Sequence, residues 1–157
     1  MIALVQRSLE ASVSVDENVI GKIDKGLVVF VGVFKDDSER ECDYLARKIA
    51  SLRIFSDEND KMNRSVLDIG GSALVISNFT LCADAKKGTR PSYDHAMRPD
   101  EAKLLYERFC KKLSENGITQ IECGVFGAYM KVSVCNDGPI SILLDTDKIM
   151  PKNEVQK

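Results

Sequence analysis

Near the start of the chain, Ala11, Val13 and Val15 alternate with Ser12 and Ser14, the two-residue period of a strand with one buried face. The pattern predicts a strand within residues 2–15, a turn at Asp16-Glu17-Asn18 and a return strand over 19–23. Residues 27–34 are apolar on both faces, as in a central strand covered on each side. From Ser38 the period lengthens. Cys42, Leu45, Ala46, Ile49 and Leu52 recur at helical spacing, with Ser38 and Glu41 placed to form a capping box. A second helix is expected after Arg98-Pro99, where proline suits the first helical position. Its stripe is Ala102, Leu105, Tyr106, Phe109 and Leu113, and Asn116-Gly117 ends it. Residues 52–55, 73–81, 119–123, 131–135 and 140–144 read as further strands.

Strands dominate and do not alternate regularly with helices. The expected fold is therefore α+β, with layered sheets or a partly closed barrel carrying two helices, rather than a doubly wound sheet. At 157 residues, 44% of them hydrophobic, the chain can bury one sizeable core. One domain is expected over residues 1–146, followed by a polar tail over 147–157. The longest apolar run, 26–34, meets Lys35-Asp36-Asp37 and is too short to span a bilayer. Residues 1–7 lack the features of a signal peptide, so a cytoplasmic protein is expected, without membrane contact. Five cysteines form no CxxC pair, which fits reduced thiols. A net charge of -2 argues against a broad basic face, DNA-binding included. Any RNA contact must be local, and Lys86, Lys87 and Arg90 form the densest basic stretch.

The single histidine, His95, is the one route to a Ser-His-Asp or Cys-His scheme, and its place just ahead of a helix fits a surface or capping residue better than a base. No metal-ligand spacing, GxxxxGK[ST] or GxGxxG occurs, so neither metal nor cofactor is expected. What remains are polar turns at strand ends, each an ordinary turn sequence when taken alone.

Taken together, they carry a resemblance. VQR at 5–7, LRIF at 52–55, KMN at 61–63, SNFTL at 77–81, KKGTRPSY at 86–93, LYERF at 105–109, FGAYM at 126–130 and NDGP at 136–139 resemble the D-aminoacyl-tRNA deacylases in order and spacing, from Met1 to about Thr146. The resemblance implies a three-layer ββα sandwich. It also implies hydrolysis of the ester between a D-amino acid, or glycine, and the 3'-terminal adenosine of tRNA, by a homodimer with a cross-subunit active site.

Such an ester is already activated, so one well-placed oxyanion donor, worth ~3 to 4 kcal/mol, supplies much of the catalysis. By resemblance, Asn78, Phe79 and Thr80 form the reaction centre through backbone N–H groups, with Thr80 orienting rather than attacking, since a threonine nucleophile needs a base beside it. Ser77, Phe126, Met130 and Asn136 are expected at the substrate, Phe126 and Met130 against the adenine. A cis Gly138-Pro139 pair, anchored by Arg7, is expected to reject L-amino acids inside the partner's pocket, because rejection by a clash discriminates better than added attraction. Two positions depart from the family pattern. Asn78 stands where glutamine is usual, and Ser141 where threonine is usual. Competing readings are a non-catalytic RNA- or protein-binding domain of the same fold and a thiol hydrolase using Cys82.

Overall fold

A computed structural model describes residues 1–151. β1 (Ile2–Val15) and β2 (Asn18–Ile23) form a hairpin. Its turn holds Asp16 and Glu17 at φ of 46° and 64°, which matches the right-handed twist of the flanking strands. β3 (Gly26–Gly32) returns antiparallel to the first half of β1. α1 (Glu39–Ala50) opens on the Ser38–Glu41 capping box, and β4 (Phe55–Ser56) pairs with β5 (Met62–Arg64) as a small separate sheet. β6 (Ser72–Ser77) lies parallel to β3 and leads into a 3-10 turn, Phe79–Cys82. α2 (Pro99–Glu115) starts with proline in its first turn, and Gly117 follows it at φ 105°, a conformation that suits glycine. β7 (Ile121–Cys123) joins parallel to β6, β8 (Lys131–Asp145) runs antiparallel to the whole of β1, and α3 (Thr146–Ile149) ends the described chain.

Because β1 is bordered by β3 and then β2 on one side and by β8 on the other, the mixed sheet bends and curls into a nearly closed barrel. One face buries Val5, Leu27, Val29, Ala73 and Val75 beneath Leu45 and Ile49 of α1 and Tyr106, Phe109 and Leu113 of α2. The other encloses Val13, Ile23, Val28, Leu74 and Ile76 inside the curl. Each fully buried aliphatic or aromatic side chain contributes roughly 1.5–3 kcal/mol. Across the two helices Arg108 forks onto Asp43, at 2.8 Å to each carboxylate oxygen, and this hydrogen bonding holds the Asp43 carboxyl below its ordinary range. The fold is the expected α+β layered, partly closed barrel.

Several local expectations change. Residues 52–54 are not a strand: Leu52 N–H donates to the Ile49 carbonyl and Ile54 N–H to the Leu52 carbonyl, so the chain coils out of α1 by local bonds. The strand expected over 73–81 stops at Ser77. Neighbouring β3 ends at Gly32, and after Asn78 N–H reaches the Val31 carbonyl at 2.7 Å no further partner runs alongside. The two strands expected over 131–135 and 140–144 are one strand, continuous through Gly138-Pro139. A third helix, α3, takes the first residues of the expected polar tail, and Tyr44 Oη donates to the Ile149 carbonyl at 2.7 Å. Residues 152–157 of that tail lie outside the described residues.

Candidate active site

A cleft of about 790 Å³ opens where β6 gives way to the 3-10 turn. Its floor and walls are Phe30, Val31, Ile76, Met97, Ala102 and Val132, with Tyr106 and Phe126 in contact at 5.8 Å between ring centroids. Ser77, Asn78, Phe79 and Thr80 form one lip. The segment 126–130, which contains Phe126 and Met130, forms the other. Its turn needs Gly127 at φ 77°. Phe79, 59% exposed, meets Tyr93 edge-on at 5.0 Å across the mouth, and Tyr129 stands 88% exposed beside them. Apart from Arg98, the lining is uncharged.

A 3-10 turn leaves its first N–H groups without acceptors inside the turn. Here the internal bond runs from Leu81 N–H to the Asn78 carbonyl, so among the described residues the N–H groups of Phe79 and Thr80 are the unused pair at the lip. Thr80 Oγ1 donates to Asn78 Oδ1. That contact fixes the hydroxyl while offering no base, since a carboxamide cannot take up the threonine proton. Asn78 is long enough to hold Thr80, so the shorter side chain at this position is satisfied locally. His95 is 57% exposed on the surface, its Nε2 3.9 Å from Asp84, and does not line the cleft. Cys82, the last residue of the turn, is buried, and desolvation pushes its thiol up to about 11. A thiol so seldom ionised at neutral pH is a poor nucleophile. Cys82→Ala is expected to keep hydrolytic activity within about twofold, checked by rate measurement before and after alkylation; a loss beyond ~100-fold would restore the thiol scheme.

Of the residues expected at the site, Ser77, Asn78, Phe79, Thr80, Phe126 and Met130 share the cleft, whereas Arg7, Asn136, Gly138 and Pro139 do not line it. These four form a second cluster on the β1–β8 ladder. Between the pairs Gln6↔Ser141 and Ser8↔Asn136, β1 advances two residues and β8 five, so three residues of β8 are pushed out of the sheet. Gly138 and Pro139 are exposed there, joined by a cis peptide bond. Asn136 braces the turn: its Oδ1 accepts from Ile140 N–H at 2.9 Å and its Nδ2 donates to Ser141 Oγ at 3.1 Å, an oxygen that Gln6 Nε2 also reaches at 3.0 Å. Ser141 therefore keeps the hydroxyl contacts that a threonine would make there. Arg7 donates through Nε to the Asp137 carbonyl at 3.1 Å, pairs with Asp137 Oδ2 at 3.0 Å, and through Nη1 reaches the Ile54 carbonyl at 2.8 Å.

The cleft also draws on residues outside the expected set, among them Tyr93, Met97, Arg98, Tyr106 and Tyr129. Tyr93, Tyr106 and Tyr129 fall within the quoted segments KKGTRPSY, LYERF and FGAYM, which was the available signal. Tyr106 sits on a helical stripe indistinguishable from core. It is core, with its hydroxyl on the Val75 carbonyl at 2.8 Å, and cleft wall as well. Among the described residues no group of three or more His, Cys, Asp or Glu side chains is arranged to hold a metal ion.

A curled sheet backed by two helices, with an apolar cleft edged by backbone N–H donors, defines an α+β protein whose pocket sets apolar walls beside hydrogen-bond donors. Residues 4–145 match the D-Tyr-tRNA(Tyr) deacylase family, and the chain belongs to that family. A relative from Thermotoga petrophila, named D-aminoacyl-tRNA deacylase, is 53% identical over 149 residues, spanning 95% of this chain and 99% of its own. One of the same name from Clostridioides difficile is 53% identical over 148 residues, spanning 94% and 99%. Among solved structures, a c-Myc DNA unwinding element binding protein superposes with a TM-score of 0.88 at 38% identity, covering 92% of this chain and 98% of that one. A probable eukaryotic D-amino acid tRNA deacylase superposes with a TM-score of 0.79 at 14% identity, covering 91% and 97%, and so shares the fold.

Proposed function

We propose that the protein, a D-aminoacyl-tRNA deacylase and thus a hydrolase of carboxylic esters acting on tRNA, works as a homodimer in which each cleft is completed by the Gly138-Pro139 turn of the partner. The observation that carries the dimer is the division of the site on one chain. The cleft holds the reaction lip, and the braced turn that would test chirality projects from β8 outside the cleft. An isologous pair brings turn to cleft twice, by one symmetry operation. Exposed Phe79 and Tyr129 at the cleft, Val125 next to Phe126 and Leu143 on β8 supply apolar surface for such an interface.

In this reading the 3'-terminal adenosine enters the cleft, its base against Phe126 and Met130, and the ester carbonyl turns to the N–H groups of Phe79 and Thr80. Those groups stabilise the oxyanion as water adds. Thr80, held by Asn78, orients the carbonyl, and Ser77 closes the lip. The adenosine 2'-hydroxyl is left to assist the water. Asn136 acts by bracing the turn, which meets the substituents on the α-carbon and leaves room for hydrogen where a D-amino acid or glycine presents it. Lys86, Lys87 and Arg90, all exposed in one loop, lie on the tRNA phosphate side. The catalytic domain covers residues 1–146. The described residues hold no helix long and apolar enough to cross a membrane, and the compartment that fits the substrate is the cytoplasm. Family membership leaves a non-catalytic domain of the same fold unfavoured.

The direct test is release of tyrosine from D-tyrosyl-tRNA and L-tyrosyl-tRNA: rapid release from the first and negligible release from the second is expected. Equal rates on both, or none on either, would defeat the reading. Sedimentation should give about twice the 17.4 kDa chain mass, and a monomer at micromolar concentration would remove the cross-subunit turn. Thr80→Val should slow the reaction by no more than about tenfold. Loss of a true nucleophile costs on the order of 10⁴ or more, and a fall of that size would make Thr80 the attacking group.

A further inference from the structure

Two of the five cysteines lie against each other behind the cleft. Cys110 projects from α2 and Cys123 from the end of β7, with sulfurs 3.3 Å apart; both are half-buried and unlinked. Their surroundings belong to the cleft wall. Tyr106, one turn before Cys110 on α2, lines the cleft and contacts Phe126, while β7 leads directly into the segment that carries Phe126 and Met130. The carbonyl of Val75 ties the two elements together, accepting from Tyr106 Oη at 2.8 Å and Gly124 N–H at 2.9 Å. The other thiols lack this arrangement: Cys42 and Cys82 are buried, and Cys135 is exposed on β8.

We infer that Cys110 and Cys123 form a modification site, a dithiol that a hydroperoxide converts to a disulfide, stapling α2 to β7 across the back of the cleft. Covalent bonding requires the sulfurs to close from 3.3 Å to about 2.05 Å. Cys123 is the sulfur oxidised first, because the contact with Cys110 holds its thiol below the ordinary range, while the same contact and burial push Cys110 upward. The Cys123 thiolate attacks the peroxide oxygen, giving a sulfenic acid and an alcohol, or water when the oxidant is hydrogen peroxide. The Cys110 sulfur then displaces the sulfenic hydroxyl as water. Two thiol hydrogens and two electrons leave the protein, and the O–O bond is reduced.

The staple closes a short loop that contains the α2–β7 connection, so its main effect is on the unfolded chain. A loop of about 15 residues corresponds to a rise of roughly 6–12 °C in the midpoint of thermal unfolding for a chain of this size. The cleft walls keep their places, and deacylation by the oxidised protein should stay within about threefold of the reduced rate.

The test treats the Cys135→Ser protein with hydrogen peroxide at low molar excess, then maps peptides without reduction and follows thermal unfolding. Expected are an intramolecular 110–123 crosslink, a mass lower by two hydrogens and a raised midpoint, all reversed by dithiothreitol. Cys110→Ala and Cys123→Ala should each lack the crosslink and the shift. Oxidation of Cys123 to sulfinic acid without the crosslink, or a crosslink that leaves the midpoint unchanged or lower, would overturn the inference. The peptide map uses no cysteine-pair variant, so a misfolded alanine mutant does not blunt it. Failure here leaves the deacylase reading intact, because that is measured on reduced protein.

Discussion

Gly138→Ala should lower the ratio of D- to L-tyrosyl-tRNA cleavage by roughly 100-fold, the equivalent of about 2.7 kcal/mol of lost discrimination. The backbone at Gly138 has φ 133°, where an L side chain is strained, and an added Cβ would stand 2.7 Å from Ile140 Cγ1 and 3.0 Å from Ile140 N. Ile140 N–H is the group that Asn136 uses to brace the turn, so relief of the clash displaces the brace and the tip together. A turn that has moved by half an ångström or more no longer meets the α-carbon substituents at a fixed place, and rejection weakens before chemistry does. The reaction lip lies elsewhere on the chain, so D-substrate turnover should fall by less than about tenfold. Parallel kinetics on both substrates check this. Intact discrimination with D-substrate turnover lost would assign the turn to catalysis instead.

Arg7→Ala is expected to reduce both stability and chirality control. Its side chain, 11% exposed, joins the turn at Asp137 to the coil after α1 at Ile54, and three contacts vanish with it. The carbonyl of Ile54 loses its donor and the Asp137 carboxylate loses its cation. Loss of these hydrogen bonds, one partner of which is partly open to solvent, costs roughly 2–3 kcal/mol, or about 5–10 °C in the unfolding midpoint. Arg7→Lys should recover the ion pair and only part of the discrimination, because an ammonium cannot hold the planar, two-directional fork. Calorimetry together with the D/L ratio reads both. An Arg7→Ala protein as selective as the parent, whatever its stability, would mean that the turn is held without Arg7.

Much of this protein could be read from the order of its residues. The helical stripes and their caps determined α1 and α2, since Ser38, Glu41, Pro99 and Gly117 act within their own neighbourhoods. The alternation of residues 11–15 and the apolar run from Leu27 likewise announced β1 and β3. Errors arose where a distant partner decided. Residues 73–81 are uniformly strand-like, yet the strand stops where β3 stops, and the turn that follows makes the backbone donors of Phe79 and Thr80 available. Residues 136–139 look like a turn that ends a strand. Pairing with β1 on both sides instead carries β8 through them, and turns them into a braced projection.

The sequence by itself determined the local elements, the family and the residue types available for chemistry, because periodicity, capping and motif order are properties of neighbours along the chain. Only the tertiary structure decided that SNFTL and FGAYM are two lips of one cleft, that NDGP and Arg7 stand apart from it, and that Cys110 meets Cys123. Each depends on strands and helices brought together by burying two apolar faces of a curled sheet, and no local pattern encodes where on that sheet a turn will stand.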